Sequence, residues 1–140
     1  MALNPYITQA AGKAMLDVLV DSLDAGGAGT IKFYATAQAA TADTAVGAQV
    51  LGGTCTFSAT AFGAATTADP SVATAAAITD DSSADASDTM VWFRAASGGG
   101  TTIFDGTVGT ASTDIVFNTN VFVSGATVSV TALTVTMPLN

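Results

Sequence analysis

The chain has 140 residues, 49% of them hydrophobic and 10% charged, with a net charge of −8. All eleven acidic residues are Asp, His is absent, and Cys55 is the single cysteine. This composition excludes His-dependent catalysis, metal sites built from His or several thiolates, and an intrachain disulfide. With only Lys13, Lys32 and Arg94 as cations, the chain also lacks the basic patch that nucleic-acid binding requires.

The length and composition predict a single mainly β domain over residues 1–140. Thr and Val are abundant and favour a pleated, half-buried surface, whereas the helix-favouring Glu is missing. We expect an N-terminal helix at about 5–24 and a β body at about 29–138, with the glycine-rich residues 26–29 as a hinge between them. No signal-peptide pattern or long apolar run is present, so we expect a soluble product made in the cytoplasm, without membrane contact.

Residues 5–24 show the spacing of an amphipathic helix, with apolar residues every three or four positions and polar residues opposite them. Asn4 suits the N-cap, Pro5 suits the first helical position, and Gly26 and Gly27 mark the end. The apolar stripe needs a cover. That cover is either the β core of the same chain or a neighbouring subunit, and the pattern leaves both open.

From Thr30 onward the hydrophobic period changes to two, which is typical of half-buried strands. Residues 37–48 are predicted as a loop and residues 96–102 as a glycine-rich hairpin tip. Cys55 falls on an apolar face and is interpreted as a small buried hydrophobic residue. Strands are predicted at 30–36, 50–58, 71–78, 89–95, 102–109 and 113–118.

The C-terminal stretch predicts a bend. Val128 and Val130 share one parity, whereas Leu133 and Met137 share the other, so one flat strand cannot bury them all on the same face. A bulge or bend near Thr131 resolves the conflict. The whole pattern predicts an antiparallel β-sandwich or jelly-roll-like barrel of about eight strands with one N-terminal α-helix.

Four acidic residues lie close together before the only tryptophan: Asp80, Asp81, Asp85 and Asp88. Their spacing does not match an EF-hand loop, and no apolar pocket is indicated that would raise a carboxyl pKa for catalysis. Asp and Ser stabilise turns by bonding to their own backbone. We therefore interpret the stretch as a solvated turn and keep weak Ca²⁺ binding by these four carboxylates as the alternative.

The strand that carries Trp92 and Arg94 allows two orientations. If Val91 and Phe93 face the core, Trp92 lies on an outer face beside Arg94, as in an interface anchor. If Trp92 faces inward, Arg94 reaches the rim of the sheet. The inward orientation is the preferred expectation.

Several segments taken together resemble a group of small bacteriophage virion proteins encoded among head and tail genes. The segments are GTIKFYAT, TFSATAFGAA, ATAAAITDDSSADASDTMVWFRA, GGTTIFDGTVG and SGATVSVTALTVTMP, and with the helix they cover nearly the whole chain. The resemblance implies a structural protein of the virion. The role it implies is a head decoration or cement protein, and no catalytic residues or cofactors come with it.

The partners implied by the resemblance are the major capsid protein and further copies of this chain, for example in a trimer. A capsid-stabilising protein needs a stiff body and contact elements rather than reaction chemistry, and weak contacts gain avidity on a lattice. We expect the N-terminal helix and the 37–48 loop to make the contacts. The candidate interface residues are Tyr6, Lys13, Asp17, Asp43, Trp92 and Arg94.

Three other functions remain open at this level. The first is a tail, baseplate or fibre component of the same kind of particle. The second is a carbohydrate-binding β-sandwich, which would stack sugar rings on exposed aromatics, here Tyr34 and Trp92. The third is a hydrolase that uses Asp80 and Asp85, for which no substrate can be named.

Overall fold

The computed structural model describes residues 6–139, which contain one α-helix, a short 3₁₀ turn and nine strands. Helix α1 spans Gln9–Asp21 and continues into the 3₁₀ turn Ser22–Asp24. The strands are β1 Thr30–Ala35, β2 Leu51–Phe57, β3 Ser71–Thr74, β4 Ile78–Thr79, β5 Asp88–Ala96, β6 Thr102–Gly109, β7 Ile115–Val116, β8 Val121–Phe122 and β9 Thr134–Met137.

Seven strands form a curled sheet with the shape of a half-barrel, in the order β4-β2-β1-β5-β6-β7, with β8 paired to the start of β5. Strands β3 and β9 form a separate two-stranded sheet. Neighbouring strands run antiparallel except for the parallel pair β6 and β7. The prediction of a mainly β fold with one N-terminal helix is confirmed.

The central strands β1, β5 and β6 have two unlike faces. Phe33 lies opposite Phe93, and Phe93 lies opposite Gly106, so both Phe side chains point to one side of the sheet. This side is the hydrophobic core, where Phe33 and Phe93 are almost fully buried. Cys55 is also buried there, as predicted, and its Sγ donates to the Val128 carbonyl oxygen at 3.4 Å. Burial raises the pKa of the Cys55 thiol, which makes it a poor nucleophile.

Helix α1 packs on its own domain, against β3 and β9. Leu16, Val20 and Leu23 are buried, and Gly12 comes so close to Leu139 that an added Cβ would lie 2.2 Å from its Cδ2 atom. The sequence left open whether the apolar stripe of α1 is buried by its own β body or by a neighbouring subunit. The structure shows burial by its own β body. No helix within residues 6–139 has the length and hydropathy needed to cross a membrane.

The helix is shorter than predicted. It begins at Gln9, where the Thr8 hydroxyl oxygen accepts a hydrogen bond from the Ala11 N–H at 3.2 Å, as an N-cap does. The predicted cap Asn4 and first residue Pro5 lie outside the described residues. A Thr followed by Gln and two Ala residues is a weaker signal than Asn-Pro, which explains the early predicted start.

Three other predictions can be compared with the strands. The strand predicted at 71–78 is wrong as a single element, because β3 pairs with β9 and β4 pairs with β2 in the other sheet. The hairpin tip is confirmed, with the Ser97 N–H donating to the Thr101 carbonyl at 2.8 Å. The change of parity is confirmed as well, since Val128, Val130 and Leu133 are buried while Thr131 and Ala132 between them are both exposed.

The predicted glycine hinge at 26–29 is packed against the hairpin tip. The Gly99 N–H donates to the Ala25 carbonyl at 2.9 Å, and a Cβ added to Gly98 would lie 2.4 Å from the Gly27 carbonyl carbon. Gly26 has a φ of 81°, which a residue with a side chain rarely adopts. Glycine therefore serves close backbone packing here rather than a free hinge.

Candidate functional site

The outer face of the sheet carries a buried aromatic and charged cluster. Tyr34 and Trp92 are paired across β1 and β5, and their rings stack with centroids 4.6 Å apart and an interplanar angle of 20°. The Arg94 guanidinium carbon lies 5.5 Å from the Trp92 ring centroid, a cation–π distance. Trp92 has no exposed surface at all. We call Tyr34, Trp92, Arg94 and Asp105 the outer-face cluster.

A bulge in β5 sets the orientation of this cluster. Tyr34 pairs with Trp92 but Ala35 pairs with Met90, which leaves Val91 as an extra residue. Met90 therefore points into the core against Gly52, whereas Trp92 points outward. The preferred expectation is right that Trp92 is buried but wrong about its side of the sheet, and Arg94 is buried rather than at the rim. Simple alternation placed Met90 and Trp92 on the same side and could not reveal the extra residue.

Arg94 joins the sheet to the 37–48 loop. Its Nε donates to Asp105 Oδ1 at 2.7 Å, and one terminal nitrogen donates to Asp105 Oδ2 at 2.7 Å. The terminal nitrogens also donate to the carbonyl oxygens of Thr44 at 2.8 Å and Thr41 at 3.4 Å. The hydrogen bonds to Asp105 raise the pKa of Arg94, so the guanidinium stays charged. Because both side chains are buried, Trp92 and Arg94 are not free interface residues, which corrects their assignment.

The burial of Tyr34 and Trp92 also argues against the carbohydrate-binding alternative, which needs exposed aromatic rings for sugars to stack on. Tyr34 is 6% exposed and Trp92 is not exposed, and each covers the ring face of the other. Burial raises the pKa of the Tyr34 hydroxyl. The Trp92 indole nitrogen Nε1 is buried and has no hydrogen-bond partner among residues 6–139. These aromatics stabilise the domain internally and offer no stacking surface to a ligand.

The four acidic residues before Trp92 are not gathered into a site. Asp81 is structural, because Oδ2 accepts the Thr54 N–H at 2.7 Å and Oδ1 accepts the Ser83 N–H at 2.9 Å. Asp88 accepts the N–H of the residue after it, Thr89, at 2.7 Å, while Asp80 and Asp85 are exposed. Within the described part of the chain, no three acidic or thiol groups converge to hold a metal ion. The calcium alternative therefore has no geometric support among these residues.

The remaining interface candidates lie just before α1, on α1 and in the 37–48 loop. Tyr6 is 78% exposed, and Asp43 is exposed in the 37–48 loop. Lys13 and Asp17 form an ion pair along one face of α1. Asp17 also accepts the Ala65 N–H at 2.7 Å, so it fastens the 58–70 connection to the helix. The hydrogen bonds from Lys13 and Ala65 hold the pKa of Asp17 below its usual value.

One side of α1 presents an uncovered apolar surface, which we call the helix face. Met15 is 52% exposed and Val18 is 70% exposed. They border an open groove of about 640 Å³. The groove is lined by Ala14, Met15, Val18, Leu19, Ser22 and Met137. Exposed apolar residues that adjoin one another are typical of a contact surface rather than a solvated one.

The sequence interpretation missed Asp105 as the partner of Arg94. Counting outward from the hairpin tip at 97–101 would place Arg94 opposite Phe104, because a register shift between Ala95 and Ala96 moves its partner to Asp105. The fastening roles of Asp17 and Asp81 had no signal in the sequence either. The carboxylates of Asp17 and Asp81 accept hydrogen bonds from the backbone N–H groups of Ala65 and Thr54. These residues are distant in sequence, so the contacts depend on tertiary packing.

Comparison with known proteins finds no family model that matches the chain, and neither a curated protein nor a solved structure that matches significantly.

Proposed function

We propose that the protein is a non-enzymatic structural subunit of a bacteriophage virion, placed as a decoration or cement subunit on the outside of the head. Its partners are the major capsid protein and further copies of itself. The chain has no His, and its carboxylates are dispersed or engaged in backbone contacts. A subunit that stabilises a lattice needs neither catalytic nor metal-binding groups.

The observation that carries the proposal is the helix face on a firmly held helix. The buried side of α1 is anchored by Leu16 and Val20, while Val18 and Met15 stay exposed on the opposite side. Burying such side chains contributes about 1.5–3 kcal/mol each. A contact of this size is weak for one subunit but is multiplied when many subunits sit on one lattice.

A second support is the acidic exterior. The net charge is −8, and the cations Lys13 and Arg94 are both paired with Asp residues. A negative surface keeps an abundant subunit soluble before assembly and directs it toward a surface of opposite charge. The 37–48 loop adds Asp43 to this exterior while Arg94 holds the loop in place.

The test is to measure copy number and position in purified parent particles. Quantitative mass spectrometry should give hundreds of copies per particle, and immunogold labelling should mark the head. A few copies, or label confined to the tail, would move the protein to the tail, baseplate or fibre. Absence from particles would contradict a virion role altogether.

The helix face is tested separately by Val18→Asp. Particles stripped of the protein should bind the wild type and lose at least about tenfold affinity for the variant, because a charge replaces a buried apolar contact. Val91→Asp is the matched control, since Val91 is also exposed, at 41%, but lies on the body. Equal binding of wild type and Val18→Asp would rule out the helix face as the contact.

A further inference from the structure

The two ends of the curled sheet come close to each other without joining. Beyond β4, Asp81 and Val128 form an antiparallel bridge, with N–H to carbonyl distances of 3.0 and 2.8 Å. At the other end, β7 pairs with β6 on one side only. Between these ends lies a cavity of about 370 Å³, lined by residues 114–118 and 129–132. We call the space between 115–118 and 129–132 the slot.

Backbone groups on the β7 side of the slot have no partner. The register of β7 and the hydrogen bond from Phe117 N–H to the Gly109 carbonyl, at 2.9 Å, use the side of the strand that faces β6. Successive residues of a strand direct their backbone groups to alternate sides. Val116 and Asn118 therefore direct theirs toward the slot, and outside the β6–β7 ladder neither backbone makes a hydrogen bond among residues 6–139.

The opposite side of the slot is also unpaired. Burial alternates from Val128 to Thr131, which is the pattern of an extended chain. Val128 directs its N–H and carbonyl to Asp81, so Ser129 and Thr131 direct theirs the other way. No backbone hydrogen bond of residues 129–132 occurs within the described range. The slot thus has free donors and acceptors along both long sides.

The floor of the slot is apolar. Ile115 and Val130 are buried, and Phe117 is half-buried between Phe33 and Phe122, at centroid distances of 5.5 and 5.6 Å. A second cavity of about 350 Å³ continues the slot and shares Phe117, Asn118 and Ser129 with it. Val116, Val121 and Val123 are each more than half exposed at the borders of these cavities.

We propose that the slot receives one extended strand from a different protein, which completes the half-barrel by β-strand addition. The strand donates to and accepts from the free backbone groups on both sides, as in other cases of strand addition. Its inward residues, every second one, are apolar and lie on Ile115, Phe117 and Val130. Its outward residues lie level with Val116, Asn118 and Ser129, so Thr or Ser suits these positions.

The negative charge of the protein indicates which residues should flank the incoming strand. Among the described residues, Asp114 is the one charged residue that lines the cavity of the slot, and the whole chain carries −8. An incoming strand flanked by Lys or Arg is attracted, whereas a second copy of this acidic chain is repelled. The site is distinct from the helix face, so particle binding through α1 can fail while strand binding succeeds.

The test uses a fluorescein-labelled peptide, KVTVTVTK, titrated with the full protein and followed by fluorescence anisotropy. We expect saturable binding. The same peptide with N-methyl groups on alternate residues keeps every side chain but loses half its donors, and it should bind at least about tenfold more weakly. EVTVTVTE should also bind more weakly, with the gap narrowing at about 0.5 M NaCl.

Hydrogen exchange locates the peptide. The amides of Val116, Asn118, Ser129 and Thr131 should exchange more slowly with KVTVTVTK bound, while those of α1 stay unchanged. Ser129→Pro removes one slot donor that has no partner in the free protein, and it should weaken binding. Thr131→Val alters only an exposed side chain and is the matched control.

Three results would overturn the proposal. One is the absence of saturable binding at about 1 mM peptide. Another is protection confined to α1, which would place the peptide on the helix face. The third is a dimer by light scattering with the slot amides already protected in the absence of peptide, which would show that a second copy fills the slot. Because hydrogen exchange uses the unaltered protein, the test does not depend on Ser129→Pro folding.

Discussion

At the residue scale, the buried charge pair on the outer face is the most sensitive point of the domain. Arg94 and Asp105 have side chains only 7% and 4% exposed, and they make two hydrogen bonds to each other. Replacing one partner leaves the other charge buried without compensation. A pair of this kind sets the position of the 37–48 loop more than it adds to stability.

Arg94→Met should destabilise the protein by about 3–5 kcal/mol, because Asp105 is left unpaired and Thr44 loses its donor. Urea unfolding followed by circular dichroism measures the loss. Arg94→Met combined with Asp105→Leu should recover much of it, since both charges are removed together. Lys32→Met on the same sheet face serves as the control, with a change within about 0.5 kcal/mol. If the single and the double variant lost the same free energy of unfolding, the unpaired Asp105 would not be the cause of the loss.

Gly106 illustrates a second residue-scale constraint. A Cβ added there would lie 2.4 and 2.6 Å from ring carbons of Phe93, a fully packed core side chain. Gly106→Ala should therefore cost about 1–3 kcal/mol by overpacking. Gly63→Ala is the matched control, because its nearest neighbour would be 3.8 Å away. A neutral Gly106→Ala in the same unfolding assay would mean that the ring has room to move.

At the element scale, Asp17 couples the helix to the 58–70 connection. Its pKa is lowered by the hydrogen bonds from Lys13 and Ala65. The resulting stabilisation is fully present above the ordinary value of 3.8 and is lost as the pH falls through the lowered value of the folded state. Asp17 is therefore one of the groups through which acid loosens the helix end of the molecule.

Asp17→Asn should melt at a lower temperature than the wild type near pH 6, and the difference should shrink once the pH drops below 3.8. Differential scanning calorimetry across this range measures it. Asp21→Asn, in the same helix but exposed, should stay close to the wild type throughout. A constant difference at all pH values would show that the carboxylate charge is not what matters.

The elements show how far periodicity can predict this fold. Alternation located β1, β2, β5 and β6, because each has one face in a single core. Alternation predicted β3 and β4 as one strand, because a period of two does not indicate which sheet a strand belongs to. The bulge at Val91 was also hidden, and with it the orientation of Trp92. The candidate surfaces depend on such tertiary details, so the helix was located from sequence but its exposed side and the slot were not.

At the scale of the whole molecule, the charge balance dominates. The described ion pairs engage Lys13 and Arg94, while eleven Asp residues repel one another over a small domain. Added NaCl should raise the melting temperature, because it screens this repulsion at distances beyond about 10 Å, whereas the buried Arg94 pair is hardly affected. Calorimetry between low and moderate salt checks this. A fall in melting temperature would mean that surface attractions outweigh the repulsion.

The packing of α1 has a consequence for synthesis on the ribosome. The helix is made before β9, yet it rests on β9 and on Leu139, whose carbonyl oxygen accepts the Ile7 N–H at 3.3 Å. A nascent chain therefore cannot complete its core until β9 has left the exit tunnel. Until then, the apolar side of α1 that is buried in the folded domain is exposed to solvent. The unfinished polypeptide depends on its negative charge, or on a chaperone, to avoid premature association.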